Sequence, residues 1–178
     1  VCSSDLTQVT LADGEHQQVT VPLTADVSNL PYAGPPPRHH AGMIYFPPNQ
    51  SIVLFGGVGR DGALLGDTWE LSLASGTWTT RGTAAPGPAA RLATLGYDPV
   101  RNNLILRTGT CLDAGQNPVL CADQWTLGQV TWDPQTPTTA ITPRSGSIMT
   151  WLPSKQTLLL FGGQTTLNNA PSAVNDLY

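Results

Sequence analysis

Short unbroken apolar runs that end in glycine set the pattern of this chain. Residues 51–57 read SIVLFGG, with Ile52, Val53, Leu54 and Phe55 running together until Gly56 and Gly57 stop them. A run this short, closed by two glycines, predicts a β-strand covered on both faces rather than a helix. Other stretches alternate instead, as in DTWELSL at 67–73 and LTQVTL at 6–11, and predict strands with one covered face. Short turns separate them: Pro47-Pro48-Asn49-Gln50, Ala74-Ser75-Gly76 and Ala12-Asp13-Gly14.

The pattern returns along the chain. Residues 156–163 read QTLLLFGG, and 103–109 read NLILRTG, a weaker copy. Arg38, Arg91 and Arg144 precede these strands at intervals of 53 residues. The turn glycines Gly57, Gly109 and Gly163 keep nearly the same spacing, as do Asp67, Asp123 and Asp176, and Trp78 and Trp132. Several independent marks with one period define a repeat protein, and the repeat governs the rest of the reading.

Each full unit reads as four antiparallel strands joined by hairpins. The units are 35–85, 86–139 and a partial third at 140–178, which is expected to end inside its third strand. In the first unit, 38–46 is one strand, 51–57 the second, 67–73 the third and 77–81 the fourth. The second unit has the same order, with a longer middle loop carrying Cys111 and Cys121. Residues 1–24 read as a hairpin, the outer half of a preceding unit with His16 where Trp78 stands, and 25–34 as a proline-containing connector. The chain begins with Val and shows no leader pattern, so it is expected to start after the natural N-terminus.

Composition agrees with many short strands. Charged residues make up 11%, while Gly and Pro number 18 and 16, a mixture hostile to helices. The net charge of −4 and single lysine, Lys155, leave no basic patch for nucleic acid or an anionic membrane surface. No apolar run is long enough for a transmembrane helix, so membrane insertion is not expected.

The candidate chemistry is sparse. The recurring arginines admit two readings: Arg38, Arg91 and Arg144 hold an anionic ligand bidentately, or each pairs with carbonyls or an aspartate to fix its own unit. Recurrence in every unit favours the second. His39 and His40 are neighbours on a strand and should point to opposite faces, so both cannot serve one site. No His/Cys/Asp cluster has metal-ligand spacing, and no metal or cofactor is expected. The recurring aspartates suit backbone-binding corners better than catalysis. Cys111 and Cys121 flank one loop and are expected to form a disulfide, the alternative being two free thiols. A bridge would point to an oxidising compartment, extracellular or in the cell envelope.

Taken together these residues resemble the kelch repeat. The Pro-Arg starts (Pro37-Arg38, Pro143-Arg144), the glycine pairs (Gly56-Gly57, Gly162-Gly163), the Asp-x-aromatic openings (Trp69, Trp125, Tyr178) and the fourth-strand Trp78 and Trp132 carry the likeness. Repeat two departs from it, with Thr108-Gly109 for the glycine pair and Arg107 where Phe55 and Phe161 stand. The resemblance implies an all-β fold: an incomplete kelch-type β-propeller of four-stranded antiparallel blades, whose other partners are the remaining blades of the same ring. It leaves function open, because kelch propellers include both adaptors and enzymes.

The expected function is a binding module that presents the loops 58–66, 110–122 and 164–175 to a protein or glycan. Its candidate contacts are Arg38, Arg60, Arg91, Arg144, Gln164, Asn168 and Asn169. The rival is a fragment of a propeller enzyme, a galactose-oxidase-like oxidase or a sugar-modifying enzyme. No strong nucleophile or acid/base pair is evident in the loops, so catalysis by this segment is not expected.

Overall fold

The computed structural model describes residues 33–81, 87–88, 92–128, 131–137, 140–167 and 173–174. The expected hairpin at 1–24 and most of the connector lie outside them, as do Arg91, Asn168, Asn169, Asp176 and Tyr178. The described residues form antiparallel sheets of two to four strands, with one short 3-10 turn at Pro47–Asn49 and no α-helix.

The first sheet holds β2 (Gly42–Phe46), β3 (Ser51–Phe55), β5 (Thr68–Ser72) and β6 (Trp78–Arg81), in that order. Two short strands, β1 (Arg38–His39) and β4 (Val58–Gly59), pair with each other beside it. The second sheet is built the same way from β7 (Leu92–Asp98), β8 (Asn103–Leu112), β9 (Pro118–Leu127) and β10 (Trp132–Gln135). Pro134 sits in the outermost strand of that sheet, where a missing N–H costs least. A third sheet pairs β11 (Ile148–Leu152) with β12 (Thr157–Phe161). The first strands lie side by side: β7 touches both β2 and β11.

The repeat is visible in backbone torsions. Gln50, Asn102 and Gln156, each just before a second strand, all have left-handed φ, at 48°, 53° and 49°. Gly56, Thr108 and Gly162 share φ of 68°, 64° and 71°, and the glycines after them stand at 98°, 122° and 94°. Thr108 thus adopts a conformation usually left to glycine, and the Thr108-Gly109 turn has the same hand as the glycine pairs.

Its consequence differs, however. The chain does not leave the sheet at this turn; the ladder shifts register between Arg107 and Gly109 and then continues to Leu112. Such a bulge bends a strand without ending it. The expected loop at 110–122 is therefore mostly strand, and the open turn shrinks to 113–117. Asp113 fastens that turn by accepting the backbone N–H groups of Gly115 and Asn117. A disulfide joins Cys111 on β8 to Cys121 on β9, with Cα atoms 6.1 Å apart.

The core lies between the first two sheets. Phe46, Val53 and Phe55 from the first meet Leu95, Leu104, Leu106, Leu127 and Trp132 from the second. Phe46 meets Tyr97 edge-on, and Phe55 meets Trp132 at 5.4 Å between ring centroids. The buried Trp132 indole donates to Thr68 Oγ1 at 2.8 Å, which removes the penalty of burying its N–H. Arg81 stitches the same interface: it pairs with Glu70, lies over the Phe46 ring and donates to the Gly128 carbonyl.

β3 corrects one expectation. Its Ser51, Val53 and Phe55 are buried, but Ile52 and Leu54 on the other face are only partly covered. The unbroken apolar run gives two apolar faces, and only one is sealed by another described sheet.

Candidate functional site

Arg38 and Arg144 stand 106 residues apart and make matching bonds. Arg38 Nε donates to the Pro36 carbonyl and its Nη1 to the Gly56 carbonyl at 3.0 Å. Arg144 Nε donates to the Thr142 carbonyl and its Nη1 to the Gly162 carbonyl, also at 3.0 Å. Each guanidinium thus straddles the chain entering its unit and the left-handed turn leaving the second strand. Arg38 adds a bidentate pair with Asp67, at 2.6 and 2.7 Å. Asp67 in turn accepts the Trp69 indole N–H at 2.6 Å, and Asp123 accepts that of Trp125 in the same way.

These contacts correct the anion-binding candidacy of two arginines. Arg144 is 0% exposed, and the Arg38 fork is filled by Asp67. Both hold turns, the second of the two readings that the sequence allowed.

The Arg38 hydrogen bonds, against the opposing pull of burial, hold the Asp67 carboxyl below its usual range. A depressed carboxylate stabilises the fold above the unfolded pKa, near 4, and that stability is lost as pH falls through the folded value. Wild type should therefore lose stability on acidification below about pH 4 more steeply than Asp67→Asn. Urea titrations between pH 6 and 2 measure this, and equal slopes for the two proteins would contradict it.

The same turns bring loop and strand start together. Arg38 pairs with Gly59 and His39 with Val58 across β1 and β4. In the third unit Ser145 and Gln164 exchange both backbone hydrogen bonds, at 3.0 and 2.8 Å. Leu65 N–H donates to the Gly57 carbonyl, and Val174 N–H donates to that of Gly163. The chain after each glycine pair folds back over the start of its own first strand.

At this end lies a cavity of about 470 Å³ lined by residues of all three units: His40, Thr94, Ser145, Ser147 and Gln164 among them. Beneath it the hydroxyls of Thr94, Thr108 and Ser147 form a buried triangle, with contacts of 3.0 to 3.4 Å. Thr94 and Ser147 are themselves 53 residues apart. Among the described residues lining the cavity, His40 is the only titratable one. The polar side chains that the described residues bring to it are neutral hydroxyl and amide groups and one imidazole, which suits hydrogen-bonding ligands.

His39 and His40 overturn a geometric expectation. β1 ends at His39, and His40 has φ 56°. This left-handed residue breaks the alternation of a strand, so the two rings converge, with centroids 4.6 Å apart and a hydrogen bond between their Nδ1 atoms. The single first strand expected at 38–46 is accordingly two strands with a corner between them. Among the described residues no group of three or more His, Cys, Asp or Glu side chains could hold a metal ion.

Of the other candidates, Arg60 and Gln164 are exposed at this end. Arg60 belongs to the turn in which Asp61 Oδ1 accepts the Ala63 N–H. Arg91, Asn168 and Asn169 fall outside the described residues. A second cleft, about 540 Å³, was not foreseen. It lies between the second and third sheets, with Arg107, Gln124 and Gln135 facing Trp151, Leu158 and Leu160. The available signal was Arg107 in the place of Phe55 and Phe161, a charge where the repeat otherwise puts an aromatic ring.

Comparison with protein-family models gives no match, and comparison with curated protein sequences gives none either. The geometry defines an all-β protein of repeated antiparallel sheets. Among its described residues, no helix is long and apolar enough to cross a membrane.

Proposed function

We propose that this chain is a segment of a kelch-type β-propeller that works as a binding module, taking a protein or carbohydrate ligand at the end where its three units begin. The observation that carries the reading is the 470 Å³ cavity, because three successive repeats contribute to it. A site assembled from equivalent positions of several repeats is where a repeat array gains a specific concave surface. The matching Arg38 and Arg144 bonds supply the rigid frame, and the exposed residues of 60–63 and Gln164 supply variation around it. The lining favours hydroxyl- or amide-bearing ligands, sugars and polar peptide groups alike. The Cys111–Cys121 bridge supports an extracellular or cell-envelope setting.

A second reading, a propeller enzyme acting on a sugar or alcohol, draws support from the His39–His40 pair, of which His40 lines the cavity. One experiment separates the two. The natural full-length protein and its Gln164→Ala and His40→Ala variants are screened against glycan and peptide arrays, with melting temperatures in parallel. Loss of binding in both variants at unchanged melting temperature supports the module. Binding retained in both overturns it. Turnover of a sugar or alcohol that disappears in His40→Ala favours the enzyme.

A further inference from the structure

Each unit brings equivalent positions to the cavity, and the first unit differs at one of them. His40, Ala93 and Gly146 stand 53 residues apart, as do Ala41, Thr94 and Ser147, and all six line it. Where the second and third units carry a methyl group and a hydrogen atom, the first carries an imidazole. The backbone there suits glycine: Gly146 has φ 72° and His40 φ 56°. A bulky residue held in a torsion that its counterpart leaves to glycine marks a place where the side chain is wanted. The same torsion turns the His40 ring onto His39, and their Nδ1 atoms share a hydrogen bond.

That bond decides what the pair can do. A neutral imidazole carries one N–H, and only one of the two Nδ1 atoms can hold the proton between them. When His39 Nδ1 donates, His40 carries its own proton on Nε2, and His39 is left with a bare Nε2. Both rings are exposed, so water reaches them. The bare Nε2 can take a proton from water without disturbing the shared bond. The pair then holds one positive charge and offers N–H donors on both Nε2 atoms. A second proton would put hydrogens on both Nδ1 atoms and break the bond. An anion accepting from His40 Nε2 favours the singly charged state, because an opposite charge stabilises the ionised form.

The charged neighbours leave this role to the pair. On β1 the Arg38 fork is filled by Asp67. Arg60 and Asp61, of opposite charge, follow β4, which pairs with β1. From the second and third units the described lining brings no titratable side chain. It brings the hydroxyls of Ser145 and Ser147 and the Gln164 amide, groups that match hydroxyls on a ligand.

We infer that the cavity takes a sugar acid, its carboxylate accepting from His40 Nε2 and its hydroxyls meeting the serine and glutamine side, and that one proton enters the His39–His40 pair with it. His40 touches the ligand, and His39 is a positioning residue that stores the proton. The inference rests on the cavity being a ligand site.

Calorimetry of the natural full-length protein with glucuronate, in buffers of differing ionisation enthalpy, tests it. About one proton should be taken up per glucuronate bound, and the affinity should rise between pH 8 and 6, by at most about tenfold per unit. Glucose should bind more weakly and without proton uptake. His40→Gln keeps a neutral N–H donor, and glutamine already adopts left-handed φ at Gln50, Gln116 and Gln156. Its melting temperature should stay close to wild type, and its glucuronate affinity should fall and lose its pH dependence. Nitrogen NMR of wild type should show both Nε2 atoms protonated in the glucuronate complex. Glucuronate binding without proton uptake overturns the inference, as does a bare His40 Nε2 in the complex. N-acetylglutamate binding as tightly as glucuronate also overturns it, because that marks a site for peptide carboxylates. Absence of glucuronate binding overturns it too; the cavity reading itself falls only if the arrays also show no ligand that depends on Gln164 and His40.

Discussion

Arg144→Ala should destabilise the protein more than any substitution at an exposed position. The guanidinium is fully buried and serves the Thr142 and Gly162 carbonyls, and its removal leaves both without their charged donor. Hydrogen bonds to charged groups contribute about 1.5–3 kcal/mol each, so the loss should reach about 3–6 kcal/mol, on the scale of a domain's whole stability. Arg144→Lys should rescue little, because one ammonium cannot reproduce a planar fork that reaches two separate carbonyls. Arg60→Ala, at an exposed loop position, should stay within about 0.5 kcal/mol of wild type. Urea unfolding of the three variants measures the series. A cost below about 1 kcal/mol for Arg144→Ala would show that the turn stands without its arginine.

Gly57→Ala should be the second large effect, and its cause is steric. Gly57 has φ +98°, and a Cβ there would lie 2.7 Å from the His39 carbonyl oxygen and 3.0 Å from the Ala41 nitrogen. Both are backbone atoms and cannot swing aside. Gly163 repeats the arrangement, 2.8 Å from the Ser145 carbonyl oxygen. Gly62 and Gly76 serve as controls, since both have positive φ with nothing within 4 Å of the added atom. Alanine at the controls should cost only the left-handed penalty of about 1–2 kcal/mol. At Gly57 it must also push β1 away from the turn, so the melting temperature should fall several degrees further. Equal costs at Gly57 and Gly62 would mean that the close approach contributes nothing.

The repeat and the strands were legible because they rest on residue types that the backbone itself requires. Gly56-Gly57 and Gly162-Gly163 mark left-handed turns that most side chains avoid, and the apolar runs before them can be little but strand. The recurring arginines were legible as a feature, and their pairing with carbonyls and Asp67 was one of two readings open to the sequence. What escaped were places where an ordinary residue takes an unusual torsion. Nothing in the letters His39-His40 announces that the second residue is left-handed, yet this corner brings the two imidazoles together and puts His40 against the cavity. Thr108 hides a bulge in the same way, and with it the lengthening of β8 and β9 that moved both cysteines from loop to strand. The cavity itself was illegible, because Thr94, Ser147 and Gln164 are commonplace alone and meet only through the stacking of three units. The partly covered face of β3 was illegible for a related reason: an apolar residue declares that it can be buried, but its neighbour decides whether it is.

The bridge between Cys111 and Cys121 has a consequence for how the chain meets proteases. The turn at 113–117 is the exposed tip of a long hairpin, the kind of place where a peptide bond is cut first. The disulfide lies on the sheet side of that tip, so a single cut within it opens the backbone without separating the halves. The severed strands stay tethered and paired, and the nicked chain migrates as one piece until a reductant is added.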